Sequence, residues 1–190
     1  MKESSEPPFL IGGGVIKKTT VFPVACDESL TGGELLALGK YDWVHRELRR
    51  RGLFGIRSPE FRTPKIYMVE IHEFDEDLYM GEVFDRFKEM GLERPTIEAS
   101  LRFGAYYPDE QKKRAIVFPL DKPIESRNDG ANLLFVLSSD GSYRVADVEW
   151  MGCCWPAGTA FAAVRQATAR EAMEMVAGLA ELALRPPSEY

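Results

Sequence analysis

The chain has 190 residues, of which 45% are hydrophobic and 28% are charged, and its formal net charge is −6. This length fits one domain, and the hydrophobic content excludes a wholly disordered chain. The excess of acidic residues argues against nucleic acid and anionic membrane surfaces as partners, because both attract clustered Lys and Arg.

The chain carries no signal for secretion or membrane insertion. Its longest weakly polar stretch falls short of the roughly 20 apolar residues that span a bilayer. Residues 1–14 (MKESSEPPFLIGGG) lack the positive start and long apolar core of a secretory signal. The cysteines, Cys26, Cys153 and Cys154, do not form the even, spaced set of a disulfide framework. We therefore predict a cytoplasmic protein with a flexible leader over 1–14 and a single domain over 15–190.

The first predicted elements are a strand and two short helices. β-Branched residues are concentrated in Val15–Val24 and predict a strand. Thr31, followed three residues later by Glu34, is typical of a capping box and predicts a helix that ends at Gly39. The spacing of apolar residues predicts a second short helix over 42–52.

The middle of the chain alternates between strands and helices. After a loop over 53–64, imperfect alternation predicts a strand over Lys65–Phe74. Apolar side chains at helical spacing predict an amphipathic helix over Met80–Met90. A further helix is predicted to start at Thr96 and end before Pro108, followed by a short apolar strand over 115–120.

The last third of the chain contains the clearest local signal. Apolar residues over Leu133–Leu137 and Tyr143–Trp150 flank an Asp-Gly turn, a pattern that predicts a β-hairpin. A further strand over 159–165 and a long helix over 167–185 complete the chain. The predicted fold class is α+β, with an N-terminal strand and short helices, an antiparallel meander in the C-terminal half, and a long C-terminal helix.

No complete cofactor motif is present, and we predict no cofactor. A phosphate-binding loop needs four residues between its glycines, followed by Lys and a Ser or Thr. Gly33 and Gly39 are separated by five residues, and Tyr41 occupies the position of the Ser or Thr.

Glu70 and His72 form the most interesting polar pair. On a strand they would point to the same face, about 7 Å apart. A carboxylate and an imidazole in this arrangement could bind a metal ion or act as an acid–base pair. The structural alternative is a solvated strand end, whose acidic residues protect a sheet edge.

The segment from Trp150 to Phe161 combines aromatic residues with two adjacent cysteines. A reactive thiol would need a basic neighbour or a helix N-terminus, so Cys153 and Cys154 are predicted to be small apolar residues of a tight turn. Trp150, Trp155 and Phe161 would serve as interface anchors where they are exposed.

Three phrases resemble a family of short uncharacterised proteins from reduced-genome bacteria. They are LTGGELLALGKYDWV, YYPDEQKKRAIVF and LLFVLSSDGSYRVADVEWMGCCWPAGTAFAAVRQ, which together make up about a third of the chain. The resemblance implies a shared fold but no activity, and no functional residue can be transferred from it. The cysteine pair and the segment after Arg165 depart from the family pattern.

These observations favour a small soluble binding or interaction module that recognises a protein partner or associates with itself. Self-association would use the C-terminal helix or the Trp-rich segment. The alternative is an enzyme of unknown reaction class with a metal or acid–base site around Glu70 and His72. Nucleic-acid binding would require the chain's basic residues to converge on one face: Arg46, Arg49, Arg50, Arg51, Lys112, Lys113 and Arg114.

Overall fold

A computed structural model describes residues 16–27, 29–49 and 64–184, with side chains up to residue 177. The predicted leader over 1–14 and nearly all of the predicted loop over 53–64 lie outside the described residues.

The described chain forms ten strands. Most are short, whereas the first and third are long enough to run alongside each other for most of their length. The strands are β1 Ile16–Cys26, β2 Trp43–Val44, β3 Lys65–Phe74, β4 Leu78–Tyr79, β5 Ile116–Phe118, β6 Ile124–Glu125, β7 Asn132–Ser139, β8 Arg144–Trp150, β9 Cys154–Trp155 and β10 Ala160–Gln166.

Eight of these strands form one mixed sheet in the order β1-β3-β10-β5-β7-β8-β2, with β6 paired to β7. The pairs β10 with β5 and β2 with β8 are parallel, and the other pairs are antiparallel. The remaining strands, β4 and β9, form a separate two-stranded ribbon. After β8 the chain therefore passes β7 and β5 and rejoins the sheet as β10, between β5 and β3.

Helices cover the sheet on both faces. The helices are α1 Gly32–Gly39, α2 Met80–Glu89, α3 Ile97–Tyr106, α4 Glu110–Lys113 and α5 Ala169–Leu184, with a 3₁₀ turn over Arg46–Arg49. One core packs α1 and α3 against residues such as Val69 and Phe135. The other packs α2 and the β4–β9 ribbon against residues such as Phe74 and Phe161. The sheet is thus the middle layer of three.

Local sequence signals set the starts of two core helices, as predicted. Thr31 accepts a hydrogen bond from the backbone N–H of Glu34, whose carboxylate accepts from the backbone N–H of Thr31, which completes the capping box of α1. Thr96 accepts from the backbone N–H of Ala99 at the start of α3. The predicted hairpin is confirmed as the antiparallel pair β7–β8.

The predicted fold class is wrong in its architecture. The C-terminal strands do not form an antiparallel meander, because β10 lies between β3 and β5 and runs parallel to β5. The physical reason lies in β10 itself, where five consecutive residues from Ala160 to Val164 are buried. A strand buried on both faces belongs in the interior of a sheet with layers on each side.

Two helix predictions also need correction. The predicted helix over 42–52 is instead the short strand β2 followed by the 3₁₀ turn, because this segment pairs with β8. The prediction of a long C-terminal helix as a main element of the fold is wrong as well. In helix α5 side chains are described for nine residues, 169–177, and none of these is buried. Its composition provides helix propensity without a buried face.

Candidate functional site

The structure places Glu70 and His72 on the same face of β3, as the alternation of a strand requires. His72 is only 2% exposed, and its ring lies 6.0 Å from the ring of Phe87 on α2. Neither residue lies at a solvated strand end, because β1 and β10 flank β3 on both sides.

Both nitrogens of the His72 ring have polar neighbours. Nδ1 lies 3.0 Å from the hydroxyl of Thr19, directly across the ladder on β1. Nε2 lies 3.4 Å from Oε2 of Glu70, which is a long contact. These distances fit an imidazole that accepts from the Thr19 hydroxyl at Nδ1 and directs Nε2–H towards Glu70.

Glu70 continues this polar chain to the start of α5. Nε of Arg165 donates to Glu70 at 2.8 Å, and the other two guanidinium nitrogens donate to Glu171 at 2.9 and 2.8 Å. The contact with His72 and then the guanidinium of Arg165 hold the pKa of Glu70 below its ordinary value, against the opposing effect of burial. The network joins three strands and one helix, and the single guanidinium of Arg165 lies between two carboxylates.

The network offers little access to a ligand. Among the described residues, no group of three or more His, Cys, Asp or Glu side chains could hold a metal ion. Glu70 and His72 do not line the open cleft described next. A metal or acid–base role for this pair therefore remains a prediction.

An open cleft of about 580 Å³ lies on the sheet face that carries the second core. Its floor is the sheet, where Val117 on β5 and Val136 and Ser138 on β7 line the cleft beside the lining residues of β8. The segment 153–159, which includes β9, forms the wall. This segment is held in place because the Ala157 backbone N–H donates to Asp77 at 2.8 Å.

Charged side chains lie at two places in the cleft. Asp147 and Glu149 project from β8 two residues apart, and therefore from the same face. Arg114 lies at the other end, where it forms an ion pair with Glu73 on β3. Within the described residues, no ion pair neutralises the carboxylate of Asp147 or Glu149, although Oδ1 of Asp147 accepts from the backbone N–H of Val148.

The cysteine pair also lines the cleft. Burial, and to a lesser extent the nearby charge of Glu149, raise the pKa of the Cys153 thiol above its ordinary value. The thiol donates to the backbone oxygen of Trp150 at 3.1 Å. A thiol with a raised pKa is a poor nucleophile at neutral pH.

The predicted interface residues occupy three different environments. Phe161 is 1% exposed and belongs to the second core, where Trp155 packs edge-on against it with ring centroids 6.0 Å apart. Trp150 is 58% exposed. Its ring lies over Gly152, where an added Cβ would lie 2.8 Å from Trp150 Cε2. Trp150 is therefore accessible, but it is not among the residues that line the cleft.

Four of the basic residues considered for nucleic-acid binding form ion pairs with acidic residues of the same chain. Arg50 and Arg51 lie outside the described residues. The described ion pairs are Arg46 with Glu47, Lys112 with Asp109, Lys113 with Glu110, and Arg114 with Glu73.

Sequence reasoning did not identify the cleft. The sequence does indicate its acidic residues, because Asp147 and Glu149 alternate with Ala146 and Val148 on one strand. This alternation predicts that the two carboxylates share a face. The wall carries no such signal, since its position depends on the pairing of β9 with β4.

No protein-family model matches the chain, and neither a curated protein nor a solved structure matches it. The resemblance to short bacterial proteins therefore remains a prediction. No helix within the described residues is long and apolar enough to cross a membrane.

Proposed function

We propose that this protein is a small binding module that recognises a protein partner through the cleft on its sheet. The observation that carries this proposal is the cleft itself, with apolar and charged side chains presented together on a paired sheet. Sites built on regular elements hold their side chains in place and therefore favour specific recognition. Its volume lies within the range of pockets that accept drug-sized ligands or a few residues of a peptide.

Binding fits the chemistry of the cleft better than catalysis. Cys153 has a raised pKa and a backbone partner for its thiol, so it is not activated. The acid–base pair of the enzyme alternative, Glu70 and His72, is enclosed by packed side chains elsewhere on the same sheet face. An enzyme using His72 would need an opening movement of α2 that exposes the ring.

Trp150 is an exposed anchor outside the cleft, whose lining does not include it. A large, exposed indole on a strand offers contact area with little loss of side-chain entropy, and Trp is enriched among residues that dominate binding energy.

Filling the cleft tests the proposal. Ser138 lies on its floor and is partly exposed, so Ser138→Trp places an indole inside the cleft. Ser142→Trp makes the same change in the exposed β7–β8 turn. Peptides are selected from a heptapeptide phage library on the unaltered protein and then measured on both variants.

We expect the selected peptides to bind at least tenfold more weakly to Ser138→Trp and unchanged to Ser142→Trp. Circular dichroism of both variants checks that the fold is retained. Selected peptides that bind Ser138→Trp as tightly as the unaltered protein would show that the cleft is not the recognition site.

Self-association is a second candidate, favoured by the exposed apolar side chains of α5. Met173 is 73% exposed and Val176 is 60% exposed. Sedimentation velocity of Met173→Glu/Val176→Glu tests it, because a dimer that uses this surface would become a monomer. An unchanged sedimentation coefficient would remove α5 from consideration.

A further inference from the structure

We infer that the occupant of the cleft is an extended basic segment of another protein, with two cationic side chains separated by one residue. This inference rests on the proposed function and names the chemistry of the partner. Its basis is the fit between the cleft's shape and the position of its unneutralised charges.

Asp147 and Glu149 line the cleft, and within the described residues neither takes part in an ion pair. Arg114, the cation that lines the cleft, is matched by Glu73. The acidic pair therefore dominates the field inside the cleft. A cationic ligand would neutralise these carboxylates, whereas an anionic ligand would be repelled.

Alternate residues on a strand lie about 7 Å apart on one face, which is the separation of the Asp147 and Glu149 side-chain positions. A partner in extended conformation places its own alternate side chains at the same spacing. On a helix, by contrast, the side chains that share a face are three or four residues apart. The acidic pair therefore matches an extended segment with the pattern cation, any residue, cation.

Lys and Arg carry long aliphatic stems, which bury well against apolar side chains while the charged head stays near a carboxylate. Ala115, Trp155 and Pro156 line the cleft, are at least partly exposed and provide such a surface. The partly exposed indole of Trp155 also lines the cleft, and the face of an indole attracts a cation.

The experiment uses acetylated and amidated pentapeptides with a fluorescent label, measured by anisotropy up to millimolar protein. The first has Lys at its second and fourth positions, the second has Lys at its second and third, and the third replaces both Lys by Glu. The variant Asp147→Asn/Glu149→Gln removes the acidic pair. Asp85→Asn/Glu89→Gln, on the exposed face of α2, is the control with the same change in net charge.

We expect the alternating Lys peptide to bind most tightly, the adjacent Lys peptide several-fold more weakly, and the Glu peptide not at all. Binding of the alternating peptide should fall at least tenfold in Asp147→Asn/Glu149→Gln and stay within twofold in the α2 control. It should also weaken as salt is added.

Several results would overturn the inference. They are equal binding of the Lys and Glu peptides, equal loss in both variants, or no binding of any of these peptides. A dimer of the unaltered protein that dissociates in Asp147→Asn/Glu149→Gln would identify the occupant as a second copy, contrary to the inference. Phage-selected peptides that are not basic but lose binding in Ser138→Trp would leave the proposed function intact while refuting the basic segment.

Discussion

Arg144 offers the sharpest test of how the helices are fixed to the sheet. Its side chain is 9% exposed, and its guanidinium donates to the backbone oxygens of Gly39 and Gly104 and to the side-chain oxygen of Gln111. It also lies over the ring of Tyr41 at 5.1 Å. One side chain on β8 therefore donates hydrogen bonds from its charged guanidinium to acceptors on α1, α3 and α4.

Replacing Arg144 with Met keeps most of the apolar volume and removes all three hydrogen bonds. Each buried acceptor left without a donor costs about 1–3 kcal/mol. Removing the desolvated cation offsets part of that loss, so the net loss in the free energy of unfolding is about 3 kcal/mol. With a urea dependence of about 2 kcal/mol per molar, the midpoint falls by about 1.5 M. Arg144→Lys should lie in between, because one ammonium group lacks the planar fork of a guanidinium.

Urea unfolding followed by Trp fluorescence measures these midpoints. Arg170→Met is the matched control, because the Arg170 side chain on α5 is 86% exposed and its removal should change the free energy of unfolding by less than about 0.5 kcal/mol. A midpoint for Arg144→Met within about 0.3 M of the unaltered protein would refute the assignment of Arg144 as the tie between the layers.

Three further predictions concern stability. The pKa of Glu70 lies below its ordinary value of 4.5, so its ionised form stabilises the fold above about pH 4.5 and loses this effect as the pH falls. The stability deficit of Glu70→Gln should thus be largest at neutral pH and shrink on acidification, and a deficit independent of pH in urea titrations would contradict this. Gly104→Ala should destabilise by about 1–3 kcal/mol, because the added Cβ would overlap the Tyr41 hydroxyl, whereas Gly81→Ala, with nothing within 4 Å, should be neutral or stabilising by thermal unfolding. Thr31→Ala removes the cap of α1 and should cost about 1 kcal/mol, and an unchanged urea midpoint would show that this cap is dispensable.

The parts of the fold that the sequence predicts are those set by near neighbours in the chain. The capping residues Thr31 and Thr96 need only the backbone three residues ahead, and both form the predicted hydrogen bonds. The β7–β8 hairpin needs only its turn, in which Gly141 adopts a φ of +107°. The same holds for α2, whose apolar residues recur at helical spacing.

Only part of the candidate site could be predicted from the sequence. The pairing of Glu70 with His72 on one face follows from strand alternation, but their enclosure depends on β1, β10 and α2. The acidic pair Asp147 and Glu149 is likewise visible as an alternation. Its position in a cleft depends on residues 153–159, which no local pattern places there.

By itself, the sequence determined the net charge, the helix caps at Thr31 and Thr96, and the β7–β8 hairpin. Only the tertiary structure decided that β10 enters the sheet between β3 and β5, that the segment 42–52 contributes a strand, and that the described side chains of α5, 169–177, stay unburied. The physical reason is that helix caps and tight turns are stabilised by bonds within a few residues. Strand order instead depends on which segments, distant in the chain, pack against the two faces of a strand. No local pattern of residue types records those contacts.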